Sequence, residues 1–562
     1  MRGKILPLTV LVSVLSAPLF VVACSDGEGD SDGEGGEGGN GGPGPGPGPG
    51  GVGGGGVMPP SPSCAAADPP GTTDVAAPQL LVELSDEWHE GWLASPAAAD
   101  LDGDGTIEII GSRHGRVIAW HADGNIVWKN DVDGRCWASP VVADLDGDGT
   151  IEVAQASDDK IYVFEPDGSA RSGFPFTWRG ELRSLGAGDI DADGALELVS
   201  VTTQNLEENG QHDIVIAVND DGSITHGFPP NTSGSAGCDD ACYVYNGYDQ
   251  NVAIGDVDGD GASDVFATQD NAYNSLHAGN GRAFDCSPSF EDKTKFMGVR
   301  GLHDQAEAFQ GWAEDESTAL QAHHTNTAPA IADLDGDGTA ELVYVASVQN
   351  AAQDDREQGV ALWVLNHDGT RPATWAEPLH FPDYLSGLWD YGETNIVAIT
   401  NQVSVGDIDP SRPGPEMVFA GFDGRIHAVD AARNVIWDVT YTESDIVATG
   451  GVVLADLSGD GSPEIVFATY STEVGFGELF ILDAGGNLLH RLPLPGRGAM
   501  PVPTVADADG DGNLDIIVAL KGGDEGVSAQ LQVYRVDGAR DNCLLWSTGR
   551  GNTLRNGYLP PG

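Results

Sequence analysis

The chain has 562 residues, of which 26 are Lys or Arg and 87 are Asp or Glu, for a formal net charge of −61. Its 79 Gly and 33 Pro make up about a fifth of the chain, against an average of roughly 12%, which argues against a helical bundle. The acid excess also argues against nucleic-acid binding and against electrostatic docking on anionic lipid, because both need a basic surface.

The first 24 residues are typical of an export signal. Arg2 and Lys4 precede a mostly apolar run that ends in Ala23-Cys24. A small residue followed by Cys resembles the lipobox of bacterial lipoproteins. The resemblance implies that residues 1–23 are removed, that Cys24 is acylated, and that the protein is attached to the outer membrane. The alternative is that this segment is an ordinary signal peptide or a membrane-spanning anchor. In the rest of the sequence no apolar stretch is long enough to span a bilayer.

Residues 24–78 are interpreted as a tether. This segment contains an acidic Gly-rich run and a Gly-Pro alternation, and such a composition cannot bury enough apolar surface to fold. Gly keeps part of it flexible, whereas Gly-Pro alternation extends it. We therefore expect residues 79–562 to form the folded head.

Six cysteines remain after Cys24 is set aside: Cys64, Cys136, Cys238, Cys242, Cys286 and Cys543. An even number in an exported chain predicts up to three disulfides, whose pairing the sequence does not determine. Cys238 and Cys242 are close enough in sequence to close a small loop.

A nine-residue acidic motif recurs eight times and begins with DLDGDGTIE at residues 100–108. Asp100, Asp102 and Asp104 alternate along a Gly-rich turn, and Glu108 follows four residues later. Four carboxylates form an oxygen-only shell of the kind that Ca²⁺ prefers. The motif starts like an EF-hand loop, but its last acid is at position nine and its flanks read as strands. Merely solvated Asp-Gly turns are the alternative, which eight copies in register disfavour.

About seven Ca²⁺ sites are predicted. Their ligands are, copy by copy, Asp100, Asp102, Asp104 and Glu108; Asp144, Asp146, Asp148 and Glu152; Asp189, Asp191, Asp193 and Glu197; Asp256, Asp258, Asp260 and Asp264; Asp333, Asp335, Asp337 and Glu341; Asp456, Ser458, Asp460 and Glu464; and Asp507, Asp509, Asp511 and Asp515. The sixth copy, at 407–416, has Arg412 among its ligand positions. We expect it to hold no ion or a weak one.

Each motif is followed by short runs rich in β-branched and aromatic residues, separated by turn signals. Four strands per unit predict an all-β fold, a single β-propeller with eight four-stranded blades. Seven blades is the alternative, if the sixth unit is incomplete. Residues 80–84 precede the first motif and are expected to pair with the last blade and close the ring.

The acid loop between strands, followed by G-x-I-x-A-x-x-x-D-G, resembles the FG-GAP and VCBS repeats, which also build the heads of integrin α-subunits. The resemblance covers about Gln79 to Leu559 and implies a Ca²⁺-binding propeller, but no particular activity. A quinone-cofactor propeller is a weaker alternative, because it would not need the acid loops.

Three insertions interrupt the repeat spacing, at about 231–249, 272–327 and 349–401. The third combines aromatic and acidic residues, and Trp375, Tyr384, Trp389 and Tyr391 are candidates for gripping a sugar; packing onto the ring is the alternative. His323 and His324, in the second, are candidate bases or ligands or, alternatively, structural residues.

Two functions are compatible with the expected lipid-anchored head. The first is a non-enzymatic, monomeric module that binds a protein or glycan and contacts the membrane only through its anchor. The second is a polysaccharide lyase similar to the eight-bladed rhamnogalacturonan lyases. A lyase needs a base beside a cationic group, and the sequence shows no compact base–cation constellation, nor any hydrolase or phosphate-binding motif. The binding module is therefore the prediction.

Overall fold

The computed structural model describes residues 63–87, 89–203, 215–229, 251–268, 273–281, 299–301, 320–349, 356–387, 401–522 and 529–560. These residues form eight small antiparallel sheets arranged as the blades of a ring. The fold is an eight-bladed β-propeller, as predicted from the eight motifs. None of the helices in these ranges has the length and apolar character that a membrane crossing requires.

In the first four blades, the strands of each sheet are consecutive in the sequence. Their strands, from the innermost outward, are β2 (Ala97–Ala99), β3 (Glu108–Arg113), β4 (Arg116–His121) and β5 (Ile126–Asp131); β6 (Val141–Ala143), β7 (Glu152–Ser157), β8 (Lys160–Phe164) and β9 (Phe176–Thr177); β10 (Gly186–Gly188), β11 (Glu197–Val201) and β12 (Val215–Val218); and β13 (Val252–Gly255), β14 (Asp264–Thr268), β15 (Tyr273–His277) and β16 (Val299–Arg300).

The fifth to seventh blades carry additional strands. They consist of β19 (Ala330–Ala332), β20 (Glu341–Gln349), β21 (Val360–Leu365) and β22 (Leu379–Phe381), with β17 (Gln321–His323) and β37 (Tyr558–Leu559); β23 (Asn401–Gly406), β24 (Glu416–Ala420), β25 (Arg425–Val429) and β26 (Val435–Thr440), with β18 (Thr327–Ala328); and β28 (Val453–Ala455), β29 (Glu464–Ala468), β31 (Glu478–Leu482) and β32 (Leu488–Pro493), with β36 (Leu544–Trp546). A separate pair joins β27 (Val447–Ala448) to β30 (Tyr470–Ser471), and a 3-10 turn lies at Ala373–Trp375.

The eighth blade closes the ring by joining the two ends of the folded chain. It consists of β33 (Thr504–Ala506), β34 (Asn513–Ala519) and β35 (Leu531–Arg540), and its outermost strand is β1 (Gln79–Leu84). Strand β1 pairs antiparallel with β35, with Leu84 opposite Leu531. This confirms the predicted closure, which leaves the ring without an unpaired gap between its first and last blades.

The core lies between neighbouring blades. The inner strands are buried on both faces, which explains why they are apolar runs rather than alternating patterns. All nine residues of β20 are buried, for example. Large rings such as Trp120, Trp363 and Trp546 are at most 1% exposed and fill the wedges between sheets.

The C-terminal segment, residues 547–559, runs around the axis of the propeller inside the innermost strands. Main-chain N–H groups of successive innermost strands donate to its carbonyl groups: Val505 to Ser547 (2.8 Å), Val142 to Thr553 (3.0 Å), Ala187 to Leu554 (2.9 Å), Ile254 to Asn556 (2.7 Å) and Ile331 to Gly557 (2.8 Å). The segment therefore ties these five blades together from within.

Arg555 anchors this segment. It is 0% exposed. Its Nε donates to the Pro140 carbonyl at 3.0 Å. Its Nη1 donates to Thr548 Oγ1 and the Gly549 carbonyl, and its Nη2 to the carbonyls of Ser95 and Pro96. All five guanidinium donors are thus satisfied.

The ordered head begins before the predicted boundary at residue 79. A disulfide joins Cys64 to Cys543, and the N–H groups of Ala67 and Gly71 donate to the Gly459 carbonyl at 3.0 and 2.8 Å. Residues 63–78, here called the N-terminal strap, therefore belong to the propeller rather than to the tether. The strap carries a half-cystine and apolar side chains such as Val75, which is 8% exposed.

The cysteines differ in their environments. Cys136, predicted as a possible disulfide partner, is a free and buried thiol. Burial raises its pKa to about 12, so it is unreactive in the folded protein. Cys238, Cys242 and Cys286 lie outside the described residues, and their pairing stays a prediction.

We expect Arg555→Gln to lower the free energy of unfolding by about 3–5 kcal/mol, because the shorter amide leaves several buried carbonyl groups without a donor. Urea-induced unfolding at saturating Ca²⁺ measures the change. The matched control is Arg425→Gln, since Arg425 forms an exposed ion pair with Asp438 at 3.0 Å and should contribute less than about 1 kcal/mol. Similar losses in both variants would contradict the anchoring role.

Candidate functional site

Each acid loop connects the innermost strand of a blade to its second strand. The last acid of the motif is the first residue of the second strand, or the third residue in the eighth blade. It lies opposite the final residue of the first strand. The pairs are Glu108 with Ala99, Glu152 with Ala143, Glu197 with Gly188, Asp264 with Gly255, Glu341 with Ala332, Glu416 with Gly406, Glu464 with Ala455 and Asp515 with Ala506. Because antiparallel connections alternate between the two faces of the ring, all eight loops lie on the same face, here called the acid-loop face.

One hydrogen bond recurs in every loop. The second residue of the motif donates its N–H to the closing acid, whose carboxylate is therefore fixed with one oxygen toward the main chain. The donors and distances are Leu101 (2.9 Å), Leu145 (2.9 Å), Ile190 (2.9 Å), Val257 (3.0 Å), Leu334 (2.8 Å), Ile408 (2.9 Å), Leu457 (2.7 Å) and Ala508 (3.1 Å).

The first Asp is fixed in the same way. In seven loops it accepts the N–H of the glycine at position six of the motif at 2.8–3.2 Å, from Gly105, Gly149, Gly194, Gly261, Gly338, Gly461 and Gly512. These glycines have positive φ, for example 88° at Gly105, a conformation that side chains disfavour. The turn geometry therefore requires the glycine that the motif repeats.

The structure brings the predicted ligands together in clusters whose oxygen atoms lie within 4.8 Å of one another. Positions one, three and nine converge in the second to fifth loops: Asp144, Asp146 and Glu152; Asp189, Asp191 and Glu197; Asp256, Asp258 and Asp264; and Asp333, Asp335 and Glu341. The first loop instead groups Asp100, Asp102 and Asp104, while Glu108 Oε1 lies 3.3 Å from His121 Nδ1.

The Asp at position five has a different local role. In the first five loops it accepts the N–H two residues on, as Asp104 does from Thr106 at 2.7 Å, and Asp148, Asp193, Asp260 and Asp337 do likewise. Asp460 and Asp511 repeat this turn in the seventh and eighth loops. Position five therefore shapes the loop, whether or not it also binds an ion.

The closing acids are at most 4% exposed. Burial, reinforced by the neighbouring loop aspartates, raises the pKa of Glu152 to about 6, those of Glu197, Glu341 and Asp515 to about 7, and those of Asp264 and Glu464 to about 8. Asp515 Oδ1 is buried without a hydrogen-bond partner among the described residues. A divalent cation would relieve both the burial cost and the repulsion, and the all-oxygen donor set suits Ca²⁺.

Arginines reach into three of the loops. In the sixth, Arg412 contacts Asp409 at 3.0 Å and Asp430 at 2.8 Å; that this loop holds no ion or a weak one stays a prediction. Arg171 contacts Asp146 in the second loop at 2.5 Å, and Arg535 contacts Asp509 and Asp511 in the eighth. A guanidinium placed there supplies positive charge that a metal ion would otherwise provide.

The seventh loop is covered by other parts of the chain. Asp456 and Ser458 are 0% and 7% exposed, because the N-terminal strap lies over Gly459. Asn542 Nδ2 also donates to Asp456 Oδ2 at 3.0 Å. This loop is the most enclosed of the set.

The predicted sugar-binding aromatics are only partly described. Trp375 is 2% exposed, and its Nε1 donates to the Ala431 carbonyl at 3.0 Å, so its ring packs against the sixth blade rather than facing solvent. Tyr384 is half-buried, with its ring edge-on to Phe422. Trp389 and Tyr391 lie outside the described residues.

The two candidate histidines are structural. His323 is 6% exposed and His324 0%, and burial lowers the pKa of His323 to about 3. The ring of His324 lies edge-on to Tyr344 at 5.1 Å. The structure therefore supports the structural alternative over a role as base.

The opposite face carries a feature that the sequence did not reveal. A small depression with a volume of about 20 Å³, room for about one water molecule, lies where the innermost strands begin and is here called the axial mouth. Its lining comes from seven blades and the C-terminal segment: Leu93, Ser95, Trp137, Ser139, Arg183, Asn251, Gln402, Gly450, Met500, Pro501, Val502, Gly549 and Arg550. These lining residues are too far apart in the sequence for a motif or a repeat spacing to connect them.

Comparisons with known proteins agree with this architecture. The profile of the FG-GAP-like repeat matches residues 144–200 and 456–518, which contain the acid loops of the second, third, seventh and eighth blades. No curated protein matches it at a significant level.

Solved structures with a similar fold have diverse functions. They include the biofilm matrix protein Bap1 of V. cholerae (15% identity, 86% of this chain and 96% of that one, TM-score 0.49), BamB of Moraxella catarrhalis (10%, 82% and 99%, 0.45) and the rhamnogalacturonan lyase YesW (15%, 82% and 75%, 0.42). At these scores and identities the likeness says nothing about activity.

We expect Asp333→Asn to remove one bound Ca²⁺, because this carboxylate lies in a convergent cluster. Asp409→Asn should leave the number unchanged, since Arg412 already contacts Asp409. Native mass spectrometry of protein equilibrated with Ca²⁺ counts the ions. A loss in both variants, or in neither, would contradict the distinction between these loops.

Arg171→Gln should raise the Ca²⁺ affinity of the second loop by about tenfold, because it removes a cation that competes for Asp146 and for Glu152, 3.4 Å away. Calorimetric Ca²⁺ titration measures the affinity, and the gain should disappear when Asp144→Asn is added. Arg425→Gln removes the same charge elsewhere and serves as the control. An unchanged or weaker affinity would be evidence against competition.

Proposed function

We propose that the protein is an exported, lipid-anchored, Ca²⁺-stabilised β-propeller that binds a protein or glycan ligand and has no catalytic activity of its own. Cys24 would carry the lipid and hold the head at the outer membrane. The head would act as a monomer, with the membrane contacted only through the anchor.

One observation carries this proposal: seven loops share the same hydrogen-bonded turn and buried closing acid, and all lie on one face of a closed ring. Ion binding that is restricted to the folded state adds to folding free energy. Several such ions would stabilise a head exposed to the extracellular environment. This is the role of a durable scaffold rather than of a reactive centre.

Residues proposed to bind Ca²⁺ are the first, third, fifth and ninth positions of the loops, with Ser458 at the third position of the seventh. The second and eighth loops, which Arg171 and Arg535 contact, would bind Ca²⁺ more weakly than the first, third, fourth and fifth loops. In these two loops the ion must first displace the guanidinium from the aspartates. The seventh, enclosed by the strap, would exchange its ion slowly.

The polysaccharide lyase is the alternative function. The cations around the axial mouth could neutralise a uronate carboxylate, which such a reaction requires. The argument for a base is weaker, because His323 and His324, which the sequence offered, are buried. We therefore favour binding without turnover.

Chelation and ligand screening test the proposal together. EGTA should lower the melting temperature of the purified head by about 10 °C or more, since several sites contribute, and Ca²⁺ should restore it. A glycan array and a surface-protein pull-down should identify a ligand. Incubation of the head with pectic substrates should give no rise in the absorbance of unsaturated uronate products. An unchanged melt would refute the Ca²⁺ scaffold, and rising absorbance would favour the lyase.

The anchor is tested separately. Cys24→Ala should release the full-length protein from the membrane fraction of the producing cell. If the variant stays membrane-bound and unprocessed, the N-terminal segment is a membrane-spanning anchor instead.

A further inference from the structure

We propose that the seventh acid loop and the N-terminal strap form a latch that is controlled by Ca²⁺. The ion in the loop and the strap over it stabilise each other, and together they hold the ring-closing strand β1 in the eighth blade. This inference rests on the proposed Ca²⁺ binding and deepens it, because it identifies what the ion of this one loop controls.

The strap covers the seventh loop, whereas the fifth loop is open to solvent. In the fifth loop Asp337 is exposed, and a Cβ atom added at Gly338 would meet no other atom within 4 Å. In the seventh loop Ser458 is 7% exposed. A Cβ atom at Gly461, the position equivalent to Gly338, would lie 2.9 Å from the main-chain nitrogen of Ala66 in the strap.

The strap binds the turn of this loop through main-chain groups. The N–H groups of Ala67 and Gly71 both donate to the Gly459 carbonyl, at 3.0 and 2.8 Å. Gly71 also packs so closely on the Ser458 carbonyl that a methyl group at this position would overlap it. Hydrogen bonds weaken steeply when their angles change, so a change in the conformation of the turn would weaken both contacts with the strap.

One side-chain amide joins the strap to a predicted ion ligand. Asn542 Nδ2 donates to the Ala65 carbonyl at 3.1 Å and to Asp456 Oδ2 at 3.0 Å, which uses both protons of its NH₂ group. Asp456 occupies the first ligand position of the seventh loop. An ion that fixes this carboxylate would therefore also fix Asn542 and, through it, the strap.

The charge of the loop explains why the ion and the strap depend on each other. Asp456 and Glu464 are 0% and 3% exposed, and Asp460 is half-buried. Without a cation, carboxylates in such a covered site are both desolvated and close to like charges, and both effects are costly. A loop without its ion is therefore relieved by opening toward water, which displaces the strap, whereas a loop with its ion tolerates the cover.

The strap leads directly into the strand that closes the ring. Strand β1 is the outermost strand of the eighth blade, and its residues Leu80 and Leu81 are 49% and 37% exposed. Its pairing with β35 has a register shift between Leu80 and Val82. Because a short, exposed outer strand opens at low free-energy cost, the position of β1 depends on what holds the residues before it.

The strap is attached to the head on both sides of the seventh loop. Cys64 is joined to Cys543, Arg540 Nη1 donates to the Asp68 carbonyl at 2.7 Å, and Val75 packs among apolar side chains of the seventh and eighth blades. The disulfide keeps the strap beside the loop when the other contacts open, which makes reclosure an intramolecular event. The latch can therefore open and close without releasing the chain.

Hydrogen–deuterium exchange of the full-length protein at saturating Ca²⁺ tests the latch, with rates taken relative to those of the buried strand β20. Asp460→Asn should raise the exchange rate of residues 65–84 at least about tenfold. The matched control is Asp337→Asn in the fifth loop, which should leave these residues at the wild-type rate. Both aspartates accept the N–H two residues on at 2.8 Å, so both variants disturb their turns alike.

Chelation separates the effect of the ion from that of the turn. In EGTA the wild type should exchange at residues 65–84 as fast as Asp460→Asn does, because neither protein then holds an ion in the seventh loop. A difference between the two that persists in EGTA would overturn the latch, and so would equal protection of these residues in the wild type with and without Ca²⁺.

The coupling is also tested from the strap. Gly71→Ala places a methyl group against the Ser458 carbonyl, so it should displace the strap and speed the slowest phase of Ca²⁺ release about tenfold, measured by stopped-flow mixing with a fluorescent chelator. The control is Gly485→Ala, in a turn of the same blade, where a Cβ atom would meet only side-chain atoms at 3.3 Å. Unchanged release from the Gly71 variant would refute the coupling, and this measurement decides the question if Asp460→Asn does not fold.

The latch and the Ca²⁺ scaffold fail separately. If EGTA lowers the melting temperature while Asp460→Asn leaves β1 protected, the scaffold stands and the latch is refuted. If no loop binds Ca²⁺, both are refuted.

Discussion

The hydrogen bond between the second residue of each acid loop and the closing carboxylate is the contact on which the repeat depends. Its partners are only seven or eight residues apart, yet it fixes the end of one strand against the start of the next. The closing acid is buried by the strand pairing that it helps to create. Burial therefore raises the pKa of this acid, and a cation bound beside it would relieve the cost of burying the charge.

A sequence rule could find this part of the molecule because every partner is local. The motif determines the turn, the turn determines the strand register, and eight copies determine eight blades. Even the sixth copy, which has Arg412 among its ligand positions, builds a complete blade. Its closing acid, Glu416, comes one residue late yet still accepts the N–H of Ile408 at 2.9 Å. Strand pairing thus survives the loss of the ion site, because it depends on one carboxylate rather than on four.

The parts that the sequence did not predict are held by partners far apart in the chain. Cys64 meets Cys543 across 479 residues, so composition assigned the strap to the tether. Arg171 lies in the connection beyond the third strand of its blade, and only folding brings it to Asp146. The axial mouth is the extreme case, because its lining comes from seven blades and the C-terminal segment, and no interval in the sequence relates Trp137 to Arg550.

The distribution of charge follows from the same division between local and distant contacts. Acids repeat within blades and so accumulate on the face where first and second strands are joined. Arg171, Arg412 and Arg535 lie among these acids, whereas Arg550 and Arg555 are buried near the axis, inside the innermost strands. Main-chain carbonyls there can hold a guanidinium such as Arg555 without a carboxylate, as its contacts with Pro96 and Pro140 show. The repeated motif thus accounts for where many of the acids lie, whereas the buried arginines lie where folding gathers main-chain carbonyls that no motif records.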